Sequence, residues 1–161
     1  MKMGINIHEP FPKRPRLKDF EYRGTYSYFI TILTKDHDTH FKEAEVVSHL
    51  NNLLLETAKS EGFDVLVYCF MPDHLHLLVM GMDDKSNLKR FISLFKQKSG
   101  YWFKKNYSEN LWHISYYDHV LRKEESIEGV ARYILENPVR KGLVSDYKEY
   151  PFSWSFWTDQ S

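Results

Sequence analysis

The sequence contains only one cysteine, Cys69, among its 161 residues. A single thiol cannot form an internal disulfide or a cysteine-rich zinc site, so we expect a reducing compartment. No apolar run approaches the roughly 20 residues that a membrane helix requires. The apolar stretch near the start is too short for a signal peptide. We therefore expect a cytoplasmic protein that binds no membrane.

Neither sign of charge is in excess, because 22 Lys and Arg residues balance 22 Asp and Glu residues. This balance argues against a histone-like protein, but the cations are clustered: residues 85–108 carry seven cations and no carboxylate. Clustered cations in a neutral protein favour a face that binds phosphate backbones, although a solvated helix surface gives the same pattern. The candidates for phosphate contact are Lys13, Arg14, Arg16, Lys89, Arg90, Lys96, Lys98, Lys104 and Lys105.

The composition is that of one globular domain, with 42% hydrophobic and 16% aromatic residues. Three prolines, Pro10, Pro12 and Pro15, lie among cations near the start. Because proline restricts the backbone and lacks the N–H donor, residues 1–19 are predicted to form an extended basic arm. Residues 20–161 are predicted to form a single domain.

Apolar periodicity predicts strands at residues 26–34, 63–71, 74–80 and 112–121, and helices at residues 42–60, 87–105 and 127–137. Ser86 and Ser126 are the predicted N-caps of the last two helices. The second and third strands are so close that they should form an antiparallel hairpin. The order predicts an α+β fold, a ferredoxin-like (split βαβ) sandwich with a central, mostly antiparallel sheet and helices packed on it.

Two histidines, His74 and His76, begin the third predicted strand. Since side chains alternate along a strand, both imidazoles should lie on one face, about 7 Å apart along the strand, with Leu75 and Leu77 on the other. Such a pair can chelate one divalent cation, but most sites need a third ligand from elsewhere in the fold. Half-exposed histidines hydrogen-bonded to their neighbours would give the same spacing.

The last predicted helix carries Tyr133 about 120° from the centre of its apolar stripe, with Asn137 one turn further along. A tyrosine off the core stripe beside a carboxamide is a candidate nucleophile next to a metal ligand. With 11 tyrosines in the chain, spacing alone does not select Tyr133 over Tyr101 or Tyr107, and a structural tyrosine at the helix margin fits equally.

Four motifs in order then give a resemblance to a known family. They are Met71-Pro-Asp-His-Leu-His76, Tyr117-Asp-His-Val-Leu-Arg122, Tyr133-Ile-Leu-Glu-Asn-Pro-Val-Arg-Lys-Gly-Leu-Val144 and Tyr150-Pro-Phe-Ser-Trp154. Together they resemble the REP-associated tyrosine transposases, which belong to the single-strand DNA transposases with an HUH motif and one catalytic tyrosine. The likeness extends over most of the chain.

This resemblance implies a role for each matching position. His74 and His76 match the HUH histidines that hold the metal, and Tyr133 matches the nucleophile. Asn137 stands where insertion-sequence relatives have a glutamine that completes the metal site. Arg122 belongs to the second motif and joins the candidate DNA-binding cations.

The resemblance also implies the reaction and the partners. It implies a metal-dependent single-strand DNA endonuclease and strand transferase that forms a 5′-phosphotyrosine with Mg²⁺ or Mn²⁺. Single-stranded or hairpin DNA is the expected partner, which would place the protein at the nucleoid, and a homodimer is a possible assembly. Two alternatives remain at this stage: a non-catalytic protein or regulator that binds DNA hairpins and derives from a transposase, and a small metal-dependent phosphoesterase that uses water.

Overall fold

The computed structural model describes residues 20–159. The predicted arm at residues 1–19, with its candidate cations Lys13, Arg14 and Arg16, lies outside the described residues. In the described part, we number strands and helices in chain order.

The strands are β1 (Ser27–Thr34), β2 (Phe63–Met71), β3 (His74–Gly81), β4 (Trp112–Val120) and β5 (Ser153–Ser155). The α-helices are α1 (Ala44–Glu61), α2 (Leu88–Tyr107), α3 (Ile127–Leu135), α4 (Asn137–Arg140) and α5 (Phe156–Asp159). Short 3₁₀ helices span Lys35–His37, His40–Lys42 and Tyr147–Glu149. The four predicted strands are confirmed, with ends that differ by one residue at most.

The five strands form one sheet in the order β4-β1-β3-β2-β5, and every neighbouring pair is antiparallel. Since β1 and β2 each run antiparallel to β3, they run parallel to each other with β3 between them. This confirms the predicted α+β fold with an antiparallel sheet and is compatible with the split βαβ arrangement. The edge strand β5 was not predicted.

Helices cover both faces of the sheet. Helices α1 and α2 pack on the face formed by alternate residues such as Ile30, Leu75 and Leu77. Helix α3 packs on the other face. There Ala131 and Ile134 form a second apolar cluster with five sheet residues, Phe29, Val67, Cys69, Met71 and Leu78. The apolar cluster does not occupy the whole of this second face. Polar side chains on the same face can therefore lie beneath α3.

The connection into α2 corrects the predicted cap. Asn87, not Ser86, is the N-cap, because its side-chain oxygen accepts the Arg90 N–H at 3.1 Å. Ser86 is buried and has a different role. Its hydroxyl accepts from the Met82 backbone N–H at 3.0 Å and donates to the Gly62 carbonyl at 2.6 Å.

The predicted last helix is two helices. Ser126 caps α3 as predicted, since its hydroxyl accepts the Gly129 N–H at 2.9 Å. However, α3 ends at Leu135, and Asn137 opens α4 instead of ending the first helix. Proline is tolerated in the first turn of a helix, where its missing N–H has no partner in any case. Pro138 therefore lies near the start of α4 and does not close α3.

The aromatic residues near the end of the described chain pack on the body of the protein. Strand β5 pairs with Val67, Tyr68 and Cys69 of β2. The Tyr150 hydroxyl donates to the Phe70 carbonyl at 2.5 Å. In the part of the chain that the structure describes, no helix is both long and apolar enough to cross a membrane.

Candidate active site

The two histidines of β3 lie side by side on the sheet face covered by α3. Their ring centroids are 4.6 Å apart and their planes are nearly perpendicular. His74 is 5% exposed and His76 is fully buried. Leu75 and Leu77 belong to the opposite cluster. The alternation predicted from the sequence therefore places both imidazoles on one face.

Each imidazole is held through its Nδ1 atom. His74 Nδ1 donates to the Asp73 carboxylate at 2.8 Å, which directs the lone pair of this imidazole to Nε2. His76 Nδ1 shares a hydrogen bond of 2.9 Å with the hydroxyl of Thr31, which is paired with His76 across the β1–β3 ladder. These contacts fix both rings with their Nε2 atoms directed away from the anchoring residues.

Both Nε2 atoms are buried and have no hydrogen-bond partner. A buried polar atom without a partner costs free energy, about 1–3 kcal/mol for a typical group. Two such atoms on adjacent rings fit a divalent cation, because neutral imidazole nitrogens are common ligands of transition metals. This pair of unpartnered atoms therefore fits a metal ion.

The electrostatic surroundings keep His76 neutral. Burial lowers the pKa of His76 well below its ordinary value, and repulsion from a charge on His74 and from Arg140 and Lys141 acts in the same direction. For Asp73, burial works to raise the pKa, but the hydrogen bond and charge of His74, with a contribution from His37, hold it below its ordinary value. A neutral imidazole beside an ionised carboxylate is the combination that metal binding requires.

Tyr133 lies on α3, over the same face of the sheet. Its ring contacts Phe29 edge-on, with the centroids 6.1 Å apart, and the Phe29 ring is 5.4 Å from the ring of His76. Tyr133 and His76 therefore share Phe29 as a neighbour. The Arg140 guanidinium lies over the Tyr133 ring, 3.9 Å from its centroid.

Asn137 is buried, with 3% of its surface exposed, at the first position of α4. The charges of Arg140, at the end of α4, and of Lys141 act on His76. Helix α4 therefore lies near the imidazole pair.

The other tyrosines considered from the sequence lie elsewhere. Tyr101 and Tyr107 belong to α2, which packs on the opposite face of the sheet. Tyr117 is different, because it pairs with Thr31 in the β1–β4 ladder, as His76 pairs with Thr31 in the β1–β3 ladder. Directly opposed residues of antiparallel strands share a face. Tyr117 therefore lies on the same face of the sheet as His76 and is the alternative candidate nucleophile to Tyr133.

The predicted DNA-binding cations of α2 lie in the layer opposite α3. Lys89, Arg90, Lys98, Lys104 and Lys105 are exposed, and Lys96 is half-buried. Arg90 forms an ion pair with Glu61 at 2.7 Å, and Lys96 donates to the His113 carbonyl at 2.9 Å. Arg122 is exposed in the connection between β4 and α3.

An open groove of about 1060 Å³ lies between α2 and the start of β4. Lys96, Lys104 and Lys105 line it together with Tyr101, which is 69% exposed, and Ile114, which is 93% exposed.

The strand register places this groove at the same end of the sheet as the imidazoles, because Thr34 pairs with Trp112 next to the pairing of Leu33 with His74. The Trp112 indole is half-buried and donates to Ser99 at 2.8 Å.

Several residues near the site were not predicted. Thr31 is the one polar residue among the apolar positions 28–33 of β1, and that interruption was the available signal. His119 is half-buried and paired with Glu125 at 2.8 Å. A separate group of Asp38, His40 and Glu109 is also compatible with a divalent cation.

Comparison with known proteins gives a family. The sequence model of the family described as "Transposase IS200 like" matches residues 23–137. A Haemophilus influenzae protein assigned as a REP-associated tyrosine transposase is 28% identical over 147 residues, which cover 84% of this chain and 82% of the relative. The REP-associated tyrosine transposase of Escherichia coli K12 is 24% identical over 141 residues, 83% of this chain and 81% of the relative.

The fold is also found in a solved structure. A REP-associated tyrosine transposase bound to a REP hairpin superposes with a TM-score of 0.75 and 17% identity, over 91% of this chain and 86% of that chain. At this identity the likeness shows the fold.

Proposed function

Because the chain belongs to the IS200-like transposases, enzymes that nick and rejoin DNA, we propose that it cleaves single-stranded DNA with Tyr133 as the nucleophile. The observation that carries the proposal is the pair of buried, unpartnered Nε2 atoms of His74 and His76 on the sheet face that carries Tyr133 above it. The same face would hold the metal, the scissile phosphate and the phenol.

His74 and His76 would hold the divalent cation, with Asn137 as the proposed third protein ligand. Once bound, a cation supplies Lewis-acid polarisation of the phosphate and neutralises charge that develops on its oxygens. Mg²⁺ or Mn²⁺ is the proposed ion, because phosphate chemistry favours hard cations and two imidazoles shift the preference towards Mn²⁺. Asp73 and Thr31 keep both imidazoles in the orientation that exposes Nε2.

The proposed step is an in-line displacement at phosphorus. The Tyr133 hydroxyl oxygen forms a bond to phosphorus while the bond from phosphorus to the 3′ oxygen breaks. The phenol loses its proton, and the departing oxygen becomes a 3′-hydroxyl. The product is a 5′-phosphotyrosine, and reversal of the step with another 3′-hydroxyl rejoins a strand. Arg140 over the ring would fix the phenol and place positive charge beside it.

The proposed DNA path uses the groove between α2 and the start of β4. Lys104 and Lys105 would contact the backbone, and the exposed ring of Tyr101 would stack on an unpaired base. Since the groove and His74 lie at the same end of the sheet, a strand could pass around that end to the imidazole face. The structural relative bound to a REP hairpin supports a hairpin beside the cleaved strand as the substrate.

We propose that the site is built within one chain, which is supported by the contacts that Tyr133 and His76 of the same copy both make with Phe29. The possible homodimer stays a prediction, which light scattering of the full chain can test. Because the proposed substrate is DNA, we propose that the protein acts in the cytoplasm at the nucleoid.

The test is the formation of a covalent adduct. The full chain is incubated with Mn²⁺ and a labelled library of single-stranded oligonucleotides that each carry a hairpin, then separated on a denaturing gel. We expect a labelled protein band that is lost in Tyr133→Phe and in His74→Ala and retained in Tyr117→Phe. Tyr117→Phe is the matched control, since it removes a hydroxyl from the same face of the sheet.

Two other results would each overturn the proposal. DNA binding without any adduct by the unmodified chain would favour a non-catalytic hairpin-binding regulator. Cleavage that survives Tyr133→Phe but not His76→Ala would indicate a phosphoesterase in which water is the nucleophile.

A further inference from the structure

A second cluster of possible metal ligands lies in the connections at the start of α1 and before β4. Asp38 and His40 belong to the segment between β1 and α1, and Glu109 belongs to the connection between α2 and β4. One ligand atom from each of the three side chains lies within 4.8 Å of the other two. None of these residues belongs to the imidazole pair of β3.

The imidazole of His40 supplies the observation that points to a ligand. Its Nε2 atom is buried and makes no hydrogen bond. Asp38 Oδ2 is 3.7 Å and Glu109 Oε1 is 3.9 Å from this nitrogen, which is too far for a hydrogen bond. Two carboxylates therefore approach one buried nitrogen, and neither is bonded to it.

Two other histidines of the chain form ordinary ion pairs, and their N···O distances can be compared with those around His40. His119 contacts Glu125 at 2.8 Å, and His74 contacts Asp73 at 2.8 Å. These pairs close to hydrogen-bond distance, whereas the two carboxylates around His40 stop about 1 Å short of it. A spacing of this size leaves room for an atom that contacts all three groups, since metal–ligand distances of about 2.0–2.2 Å hold neighbouring ligands more than 3 Å apart.

The ring of His40 is fixed by the protein, while its carboxylate neighbours face solvent. The His40 ring packs on Phe103 of α2 with the centroids 4.6 Å apart. The side chains of Asp38 and Glu109 are about half exposed, so an ion can enter from water without opening the core.

We propose that Asp38, His40 and Glu109 form a second divalent-metal site, of the zinc class. One neutral imidazole and two carboxylates supply one nitrogen and two oxygen ligands and two negative charges, and water completes the coordination. Zn²⁺ accepts this donor set, whereas Mg²⁺ favours all-oxygen ligands. The proposal does not depend on DNA cleavage or on the roles of Tyr133 and His76.

A cation at this site would stabilise the segment after β1, which contacts the residue that holds His74. The Thr34 hydroxyl lies 2.8 Å from the Asp38 carbonyl and 3.0 Å from the Asp73 carbonyl, within hydrogen-bond distance of both. Asp73 in turn holds His74. A cation that joins Asp38 and His40 to Glu109 would tie this segment to the connection before β4, and zinc should raise the unfolding temperature.

The test is a count of bound zinc. The metal-free full chain is equilibrated with Zn²⁺, passed through a desalting column and analysed for metal, in parallel with calorimetric titration. We expect the double variant Asp38→Asn, Glu109→Gln to bind one equivalent less than the unmodified chain. A matched double variant, Asp36→Asn and Glu43→Gln, removes two exposed carboxylates of the same region and should bind as much zinc as the unmodified chain.

Variants that lack the β3 histidines distinguish zinc bound at the two sites. The double variant His74→Ala, His76→Ala should retain one equivalent, and this should disappear when Asp38→Asn and Glu109→Gln are added. Zinc should raise the unfolding midpoint of the unmodified chain and of the Asp36→Asn, Glu43→Gln control by a few degrees more than that of Asp38→Asn, Glu109→Gln. Equal zinc content in the unmodified chain and in Asp38→Asn, Glu109→Gln would overturn the proposal.

Discussion

Arg140 contacts Tyr133 twice, through its guanidinium over the ring and through the backbone. The guanidinium carbon lies 3.9 Å from the ring centroid, and Nη2 donates to the Tyr133 carbonyl at 2.8 Å. The ring is therefore held between Phe29 on the sheet and a cation from α4. This cation–π contact would position the ring of the proposed nucleophile and place positive charge beside it.

Replacing Arg140 by Gln should slow adduct formation about tenfold, because its charge would stabilise the negative charge that develops in the transition state by about 1.4 kcal/mol more than it stabilises the ground state. Arg140→Lys should retain part of the rate, because an ammonium keeps the charge but not the planar stacking. The measurement is the single-turnover rate at saturating DNA, with DNA affinity measured separately in the Tyr133→Phe background. Lys141→Gln is the control, since Lys141 also acts on His76; equal rates in Arg140→Gln and Lys141→Gln would count against the role of Arg140.

Replacing Thr31 by Val should raise the Mn²⁺ concentration that half-saturates adduct formation by about 10–100-fold, the usual cost of removing a residue that orients a metal-binding histidine. The physical reason is that His76 Nδ1 loses its hydrogen bond of 2.9 Å and the ring is no longer fixed. Thr57→Val is the matched control. Thr57 is also buried, but its hydroxyl donates to the Leu53 carbonyl within α1, so this variant should lose stability and keep its metal requirement.

Glu125 should make the stability of the β4–α3 connection depend on pH. Burial works to raise its pKa, but the Arg122 backbone N–H and His119 hold the pKa below its ordinary value of 4.5. Because the folded state binds this proton less readily than the unfolded chain, the contribution is complete above about pH 4.5 and is lost as the pH falls through the lower folded value.

The variant Glu125→Gln should therefore lower the unfolding temperature at pH 7, and the difference from the unmodified chain should shrink on acidification below pH 4.5. Glu124→Gln, an exposed neighbour, serves as the control. A difference that stays constant down to pH 3 would show that the Glu125 carboxylate charge contributes nothing.

Ser86→Ala should cost more stability than Asn87→Ala. The buried Ser86 hydroxyl bonds to Met82, Asp83 and Gly62, and its loss leaves buried backbone groups unpaired, at about 1–3 kcal/mol. Removing the Asn87 cap should cost about 1 kcal/mol. Urea unfolding of both variants measures the difference in the free energy of unfolding. A larger loss in Asn87→Ala would show that the hydrogen bonds of Ser86 contribute less than the helix cap.

The local sequence pattern was enough to predict most of the strands and helices. Period-two alternation placed His74 and His76 on one face because that spacing depends only on strand geometry. Ser86 and Asn87 are both good N-cap residues, so sequence could not choose between them. The choice depends on the Gly62 carbonyl, which lies 24 residues away and engages Ser86.

Features that need distant partners were not predicted. Strand β5 exists because the β2 edge is open to residues more than 80 positions later in the chain. The His40 cluster unites two connections about 70 residues apart. The break between α3 and α4 was missed because Pro138 fits the first turn of a new helix as well as the end of an old one.

The most direct test of the central claim is to identify the residue that carries the DNA. The adduct formed with single-stranded hairpin DNA and Mn²⁺ is digested with nuclease and trypsin, and the peptides are sequenced by mass spectrometry. We expect a nucleotide 5′-phosphate on Tyr133, in the peptide that contains Ile134–Arg140. A nucleotide on Tyr117 or on any of the other tyrosines would contradict the account.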